Sequence, residues 1–574
     1  MKLNLEIRRP AEEPLVLSLP TEVRKTEAVV KDFGMLKADV RLTPVANRID
    51  IDVEVSVKDG KNFCFLALCA EAHDVRLWNF YDAVEAPEVF RQSPHDPDQH
   101  WINLAVQPVP LAGLEEDGHI TWVVGDAAAH AANFTTQEFD PTRGRVAVCS
   151  GDAGEQPGFQ GLPMQSFYHE VTEAAPHRMQ AVLLGTSAGA IAASRLHLYE
   201  AIAERWSSRP LTGLFDAMCF GSNYMHLRHN ETGYSDLWVV PGIEYCNKQY
   251  TRDAFWQSMI FPLELDQQCY DAVYPVRYRY AENAALYLLW SMRIANAGGQ
   301  VNEERAADAL SWLETHTRDG VFHPPSAKEG QMDFRSWYDL VSFEDDDCIA
   351  YNQGLFAASL QAADVLGLSA STSVEDARAV YRGLYDEEKG FLPLSRRKEL
   401  LCVDALAGDL LARLLFGESL LPAEHVHAHF ARLRRHAWTD YGFKVTCLPD
   451  GRYAPADAYG AGGMLQSAFQ DADNAGSYQW GGSWCLYDML CILDAVAQGV
   501  EGAVDVATER MRIEFRLGGA YHEHINTRTG EPDKPGQGWN ACVPALWRRL
   551  MKAGLADDRL FRALDETLRG ICRE

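Results

Sequence analysis

Hydrophobic and polar positions alternate in short runs over the first third of the chain and take a helical period after it. The early runs are Leu3–Arg9, Glu27–Phe33, Ala38–Val45, Ile49–Val57, Asn62–Ala72, His119–Asp126 and Gly144–Asp152. Each is short, alternating or β-branched, and Pro, Gly and Asp turns separate them, as expected of strands on a sheet with one buried face. Their regular spacing predicts an N-terminal antiparallel β-sandwich over residues 1–187. Helical periodicity is nearly absent before Ser187.

Beyond that point about twelve helical segments follow, near 188–206, 250–263, 278–297, 302–317, 350–367, 373–385, 402–417, 423–436, 480–499, 502–517, 539–554 and 557–572. AYNQGLFAASLQAADVLG is apolar on most of its circumference, as a helix covered on two sides must be, whereas VEDARAVYRGLYDEEKG has one polar side. This alternation, with no motif recurring at a fixed period, predicts an all-α (α/α)6 barrel over 188–574 and so an α+β multidomain chain. Long loops at 220–249, 319–349, 440–478 and 520–538 precede the expected inner helices and would build one cleft.

Composition narrows the function. The chain has 574 residues, enough for two or three domains. It has no apolar run of the roughly 18–20 residues that a membrane span needs. MKLNLEIRRPAEEP has no apolar signal core. Thirteen scattered cysteines lack metal-like or framework spacing, which predicts free thiols in a reducing cytoplasm. A formal net charge of −28 argues against nucleic acid or anionic lipid as partner and is compatible with a neutral, polyhydroxylated ligand. No cofactor or metal is called for, and nothing sets the oligomeric state.

Loops that combine aromatics, carboxylates and amides are the candidates for chemistry. The strongest runs from Tyr478 to Trp539: YQWGGSW, a helical hairpin, then YHEHINTRTGEP and GQGWNA, with Glu523 among histidines and aromatics. A second, NKQYTRDAFW, places Arg252 and Asp253 at a helix start beside Tyr250 and Trp256, either as a hydroxyl-binding pair or as plain complement to the helix dipole. A third holds Asp333, Asp339 and the EDDD run Glu344–Asp347. That run reads as a solvated turn and cap without the glycine of a calcium loop. Asp339 stands between Trp337, Tyr338 and Leu340, where desolvation would keep a carboxyl protonated as a general acid, a buried cap being the alternative. A rival motif is Gly185-Thr186-Ser187-Ala188-Gly189, an apolar run, a turn and a helix, similar to the serine motif of patatin-type lipases. Without βαβ alternation around it, capping by Thr186 or Ser187 is the simpler reading.

Together these loops resemble inverting (α/α)6-barrel glycoside hydrolases, over most of residues 190–574. YQWGGSW followed by YHEHINTRTG is similar to the NGGSW and PEYYD-type segments of neutral invertases, whose glutamate is the general base, and this implies that role for Glu523. SWYD (Ser336–Asp339) resembles the TWMD of the glucosidase domain of glycogen debranching enzymes and implies Asp339 as general acid. The helix after it, with Gln353 in NQGLFAASLQAA, is similar to QALFYMALRCA of invertases. TRD (Thr251–Asp253) resembles the TRD of glucoamylases, whose Arg and Asp hold the terminal glucose. Trp480 replaces an Asn of invertases, and His524 stands where many relatives have an aromatic or Gln. Glu531, in TGEP, is a second candidate base, because trehalases place theirs closer to the following GW.

The resemblance implies an O-glycosyl hydrolase acting on an α-glucoside or related small oligosaccharide, with the two carboxyls about 6.5–9.5 Å apart to admit the attacking water. Tyr250, Arg252, Asp253, Trp256, Trp337, Gln353, Gln479, Trp480, Trp484, His524 and Trp539 would line the sugar subsites. The alternatives are a phosphorylase on the same barrel, a carbohydrate-binding protein without catalysis and, last, the GTSAG serine hydrolase.

Overall fold

The computed structural model describes residues 1–78, 83–84, 90–91, 102–103, 110–129, 137–140, 143–150, 168–229, 237–241, 250–273, 280–324, 335–460, 474–517 and 521–573. The four expected cleft loops are therefore described in part, and Asp333 lies outside the described residues. The fold is mixed α+β. Among the described residues there are fourteen α-helices: α1 (Ile191–Trp206), α2 (Gly213–Tyr224), α3 (Thr251–Gln257), α4 (Leu263–Asp271), α5 (Glu282–Asn296), α6 (Glu303–Thr315), α7 (Ala350–Val365), α8 (Val374–Arg382), α9 (Ala407–Phe416), α10 (Ala423–His436), α11 (Cys485–Ala497), α12 (Ala503–Arg516), α13 (Val543–Lys552) and α14 (Arg559–Ile571).

The expectation of twelve segments falls short in two places. The sequence of α2, GLFDAMCFGSNY, is buried over most of its length and carries two glycines, so no one-sided stripe marks it. The segment expected at 250–263 holds α3 and a 3-10 turn, and α4, which was not expected, follows Pro262. The chain forms two compact units, Met1–Gln249 with Leu568–Glu574, and Tyr250–Thr567. The change from strand to helix at 187/188 thus precedes the division between units, which comes at 249/250.

In the first unit an eight-stranded sheet runs in the order 27–32, 36–45, 48–57, 177–187, 119–125, 111–116, 76–78 and 83–84. A second sheet runs 137–140, 145–149, 61–71, 2–8 and 15–19, with 169–172 also paired to 61–71. Alternate residues of both, such as Leu3, Leu5 and Ile7 with Val40, Val53 and Val55, share one hydrophobic core. Helices α1 and α2 cross closely, because a Cβ on Gly221 would lie 2.3 Å from the Tyr199 carbonyl oxygen. The GTSAG strand pairs antiparallel with both neighbours, so the parallel-sheet setting of a nucleophile elbow is missing. Thr186 and Ser187 do not cap the turn that follows. Thr186 Oγ1 instead accepts from Trp122 Nε1 at 2.9 Å.

In the second unit, α3 packs on α5, α5 on α7, α7 on α9, α9 on α11 and α11 on α13, and the turn Gly538–Cys542 that leads into α13 packs on α3. These helices are buried on most sides, while α6, α8, α10 and α12 present one apolar face. The α7–α9 crossing is close enough that a Cβ on Gly408 would meet the Gly354 carbonyl carbon at 2.1 Å. Packing at that distance fixes the register of the two helices and, with it, the loops at their N-terminal ends. No helix among the described residues is long and apolar enough to cross a membrane. The twelve described cysteines form no disulfide with one another.

Candidate active site

Asp339 sits on an irregular loop that its neighbours hold in place. Trp337 Nε1 donates to Asp404 Oδ2 and Tyr338 OH donates to Asp404 Oδ1, each at 2.7 Å. The Gln479 amide closes the other side, donating to the Trp337 carbonyl at 2.8 Å and accepting from Leu340 N at 3.0 Å. Trp337, Tyr338 and Leu340, on both sides of Asp339, are thus anchored. Asp404 is fully buried, which pushes its carboxyl up to about 6 against the pull of its two donors.

Glu523 lies on the strand His522–Ile525, paired antiparallel with Pro532–Pro535. In that register Glu523 stands opposite Lys534, and Lys534 Nζ meets Glu523 Oε2 at 2.7 Å with both side chains largely buried. A reciprocal pair of 2.9 Å hydrogen bonds between Ser483 and Ile525 ties this strand to the entrance of α11. Asn540 Nδ2 holds the His522 carbonyl at 2.8 Å. The Lys534 ammonium also lies 5.6 Å from the centre of the Tyr478 ring, and Tyr478 OH donates to Asp339 Oδ2 at 2.6 Å. Asp339 and Glu523, far apart in the chain, are therefore joined through two side chains. Tyr478 (φ 44°) and Lys534 (φ 47°) both adopt the left-handed backbone that non-glycine residues avoid. Such strain persists only where surrounding contacts over-determine it, and it gathers at functional sites.

The third part is Arg252, at the start of α3. Its guanidinium lies 5.3 Å from the Trp539 ring centre and 5.6 Å from that of Tyr280, with Asp253 Oδ2 at 3.4 Å and Glu282 Oε1 at 3.3 Å. Burial pushes Asp253 up to about 6 and Glu282 up to about 7, with Arg252 opposing both shifts. Burial likewise raises Asp339. The Tyr478 hydrogen bond and the Arg252 charge oppose that rise, and the Glu523 charge adds to it. The mutual influence of Asp253, Asp339 and Glu523 places them in one electrostatic neighbourhood. Around them Trp484 stacks with the His524 ring at 5.7 Å and lies 5.8 Å from Trp539.

The structure thus gathers Asp339, Glu523, Arg252, Asp253, Trp484, His524 and Trp539, and Tyr250 joins the edge through its ring contact with Tyr280. Other expected sugar contacts are occupied elsewhere. Trp256 has no exposed surface and packs edge-on to Phe255. Trp337 is stacked on Tyr487 at 3.9 Å with its indole N–H taken by Asp404. Gln353 spends its amide on Phe322 N, the Gly320 carbonyl and the Ala377 carbonyl. Gln479 serves the acid loop, and Trp480 Nε1 donates to the Ala454 carbonyl at 2.8 Å. All five make packing or hydrogen-bond contacts within the protein, where the sequence raised the expectation of sugar contacts. Glu531 is exposed at the tip of the hairpin that carries Glu523.

The acidic run behaves as a paired turn. Arg335 meets Asp345, Arg397 meets Asp346, and Asp347 accepts from Ser395 Oγ and Cys348 N. Tyr478, Lys534, Tyr280, Glu282 and Asp404 escaped the sequence reading. One signal was present: a glutamate opening the otherwise apolar helix ENAALYLLW is costly to bury without a purpose. Among the described residues no group of three or more His, Cys, Asp or Glu is arranged to hold a metal ion.

No protein-family model matches the sequence, and no curated protein matches it. Solved structures with a partly similar arrangement include a GH63 mannosylglycerate hydrolase from Thermus thermophilus in complex with glucose, at 10% identity over 58% of this chain and 99% of that one, TM-score 0.39. A wild-type glycosidase matches at 12% identity over 64% of this chain and 98% of that one, with the same TM-score of 0.39. An uncharacterized conserved protein from Thermus thermophilus matches at 11% identity over 54% and 95%, TM-score 0.37. Likeness at this level bears no weight for function, which rests on the site itself.

Proposed function

We propose that the chain is a glycoside hydrolase that cleaves an α-glucoside or related small oligosaccharide with inversion, on an (α/α)6 barrel formed by α3–α14. The observation that carries this reading is the link between Asp339 and Glu523 through Tyr478 and Lys534, beside a buried Arg–Asp–Glu cluster walled by aromatic rings. Burial keeps the Asp339 carboxyl protonated to higher pH than an exposed aspartate, which suits a general acid. As the glycosidic bond breaks, the Asp339 proton passes to the leaving oxygen and the bonding pair departs with it. Glu523, as a carboxylate, takes a proton from the water that attacks the anomeric carbon from the opposite face. Asp253 and Glu282 offer acceptors to sugar hydroxyls, and Trp539 and Trp484 offer apolar ring surface.

The test is a panel of disaccharides and aryl glycosides with the product anomers followed by NMR. Inversion is expected, and retention would rule the mechanism out. A phosphorylase needs cations open to phosphate, whereas Lys534 is paired with Glu523 and Arg252 with Asp253 and Glu282. Turnover independent of added phosphate is the expected result.

A further inference from the structure

We propose that Tyr478 is a positioning residue that fixes on which oxygen Asp339 carries its catalytic proton. The proposal rests on the glycosidase reading above and deepens it. A phenol O–H has one proton to give, and Tyr478 gives it to Asp339 Oδ2 at 2.6 Å. When Asp339 is the neutral acid, the oxygen that accepts this bond is its carbonyl oxygen, so the acidic proton resides on Oδ1. With the carboxyl turned by half a turn, Oδ2–H would donate to the phenol oxygen and the Tyr478 proton would leave Asp339, so it is the donation by Tyr478 that selects Oδ1. The transferable proton therefore has one location and one direction before substrate arrives, which is pre-organisation of the kind general acid catalysis needs.

The structure holds Tyr478 firmly for such a task. Its ring meets Trp484 and His524 edge-to-face at 5.2 and 5.5 Å, and Lys534 lies over it. Its carbonyl accepts from Gly482 N at 2.8 Å and from Trp484 Nε1 at 3.2 Å. A Cβ on Gly482 would lie 2.4 Å from that carbonyl oxygen, so the glycine makes the close approach possible. These contacts sustain the left-handed backbone of Tyr478, a conformation the YQWGGSW segment would not adopt unaided. The charged and titratable groups that face Asp339 are Arg252, Glu523 and Lys534, with Glu282 and Tyr280 next to them. None of these donates a hydrogen bond to the Asp339 carboxyl among the described contacts, so the direction of the proton depends on Tyr478.

The variant Tyr478→Phe removes one oxygen and keeps the ring with its Trp484, His524 and Lys534 contacts. Wild type and variant are compared on gluco, manno and fructo disaccharides and on the matched glycosyl fluorides, whose leaving group departs without a full proton. On the disaccharide that wild type cleaves, kcat is expected to fall about 10–100-fold with KM little changed, no more than the lower end of the roughly 10²–10⁴-fold that general acid catalysis contributes. On the matched fluoride kcat should change by less than about threefold, because the acid is not needed there. The alkaline limb of kcat should move to higher pH, since the lost donor had favoured the carboxylate.

An equal fall on both substrates, or none on either, overturns the proposal, as does an alkaline limb that stays or moves down. The parent reading fails separately: it falls if wild type turns over no member of the panel, or if Asp339→Asn still cleaves the disaccharide. Loss of turnover in Asp339→Asn beside an unaffected Tyr478→Phe removes the role of Tyr478 alone.

Discussion

Two buried clusters in Tyr250–Thr567 are built from the same parts, one arginine and two carboxylates, and are bonded differently. Arg510 on α12 meets Asp488 at 2.6 Å and Glu514 at 3.0 Å, and Asp488 also accepts from Ser483 Oγ at 2.7 Å. Arg252 on α3 meets Asp253 at 3.4 Å and Glu282 at 3.3 Å and otherwise faces the rings of Tyr280 and Trp539. The first cluster pins α12 to α11. The second has longer ion-pair distances and feels the charges of Asp339 and Glu523. Both leave some carboxylate oxygens without hydrogen bonds, so that feature alone does not mark a site. What separates them is bond length and neighbours. Composition is the same in the two, and on the proposed reading geometry sets one to support and the other to chemistry.

The largest effect expected is on turnover. On the proposed reading Asp339→Asn and Glu523→Gln each lower kcat by about 10²–10⁴-fold on the disaccharide panel while a cooperative melting transition is kept, Glu523→Gln melting lower because it removes the carboxylate that Lys534 meets at 2.7 Å. Full activity in either variant breaks the assignment of chemistry to this end of the unit.

Next comes the contrast between the arginines. Arg510→Met strands Glu514, which Arg510 and His522 hold below the ordinary range against the cost of burial, and a stability loss of about 3–5 kcal/mol is expected in urea unfolding. Arg252→Met should cost less stability, because Asp253 at about 6 and Glu282 at about 7 can take up protons near neutral pH. It should nevertheless remove turnover. Equal stability losses in the two variants would erase the distinction.

A smaller effect follows from Glu282. Its folded pKa of about 7 lies above the ordinary value, so its contribution to stability is present in acid and lost as pH rises through about 7. Glu282→Gln should flatten the fall in melting temperature between pH 5 and pH 8, and an unchanged slope would contradict the burial of that charge. Smallest is Glu531→Gln at the exposed hairpin tip, expected to shift stability by less than about 0.5 kcal/mol and to leave kcat alone. A dead Glu531→Gln enzyme would move the base from one strand end to the other.

The strand-rich beginning and the paired helices of the rest were legible because period two and period 3.6 are local properties of neighbouring residues. Glu523, Asp339 and the Arg252–Asp253 pair were singled out because carboxylates and arginine among aromatics in loops are costly unless used. The same logic also selected Gln353, Gln479, Trp337 and Trp480. Their residue types suit a sugar equally well, but each spends its polar atoms on protein partners that lie far off in the sequence. It also passed over Lys534, which looks like an ordinary surface lysine in GEPDKPG until the hairpin register sets it opposite Glu523.

Sequence alone therefore determined the order of elements, the α+β class and the pool of chemically capable residues, because these depend on periodicity and on the cost of burying charge. Tertiary structure decided which members of that pool act together. Hydrogen bonds and ion pairs reach a few ångströms, and only folding brings residues 252, 282, 339, 478, 523 and 534 within that reach. It also decided which glutamate of one hairpin is buried, Glu523 rather than Glu531, which no count of residues along the chain could rank.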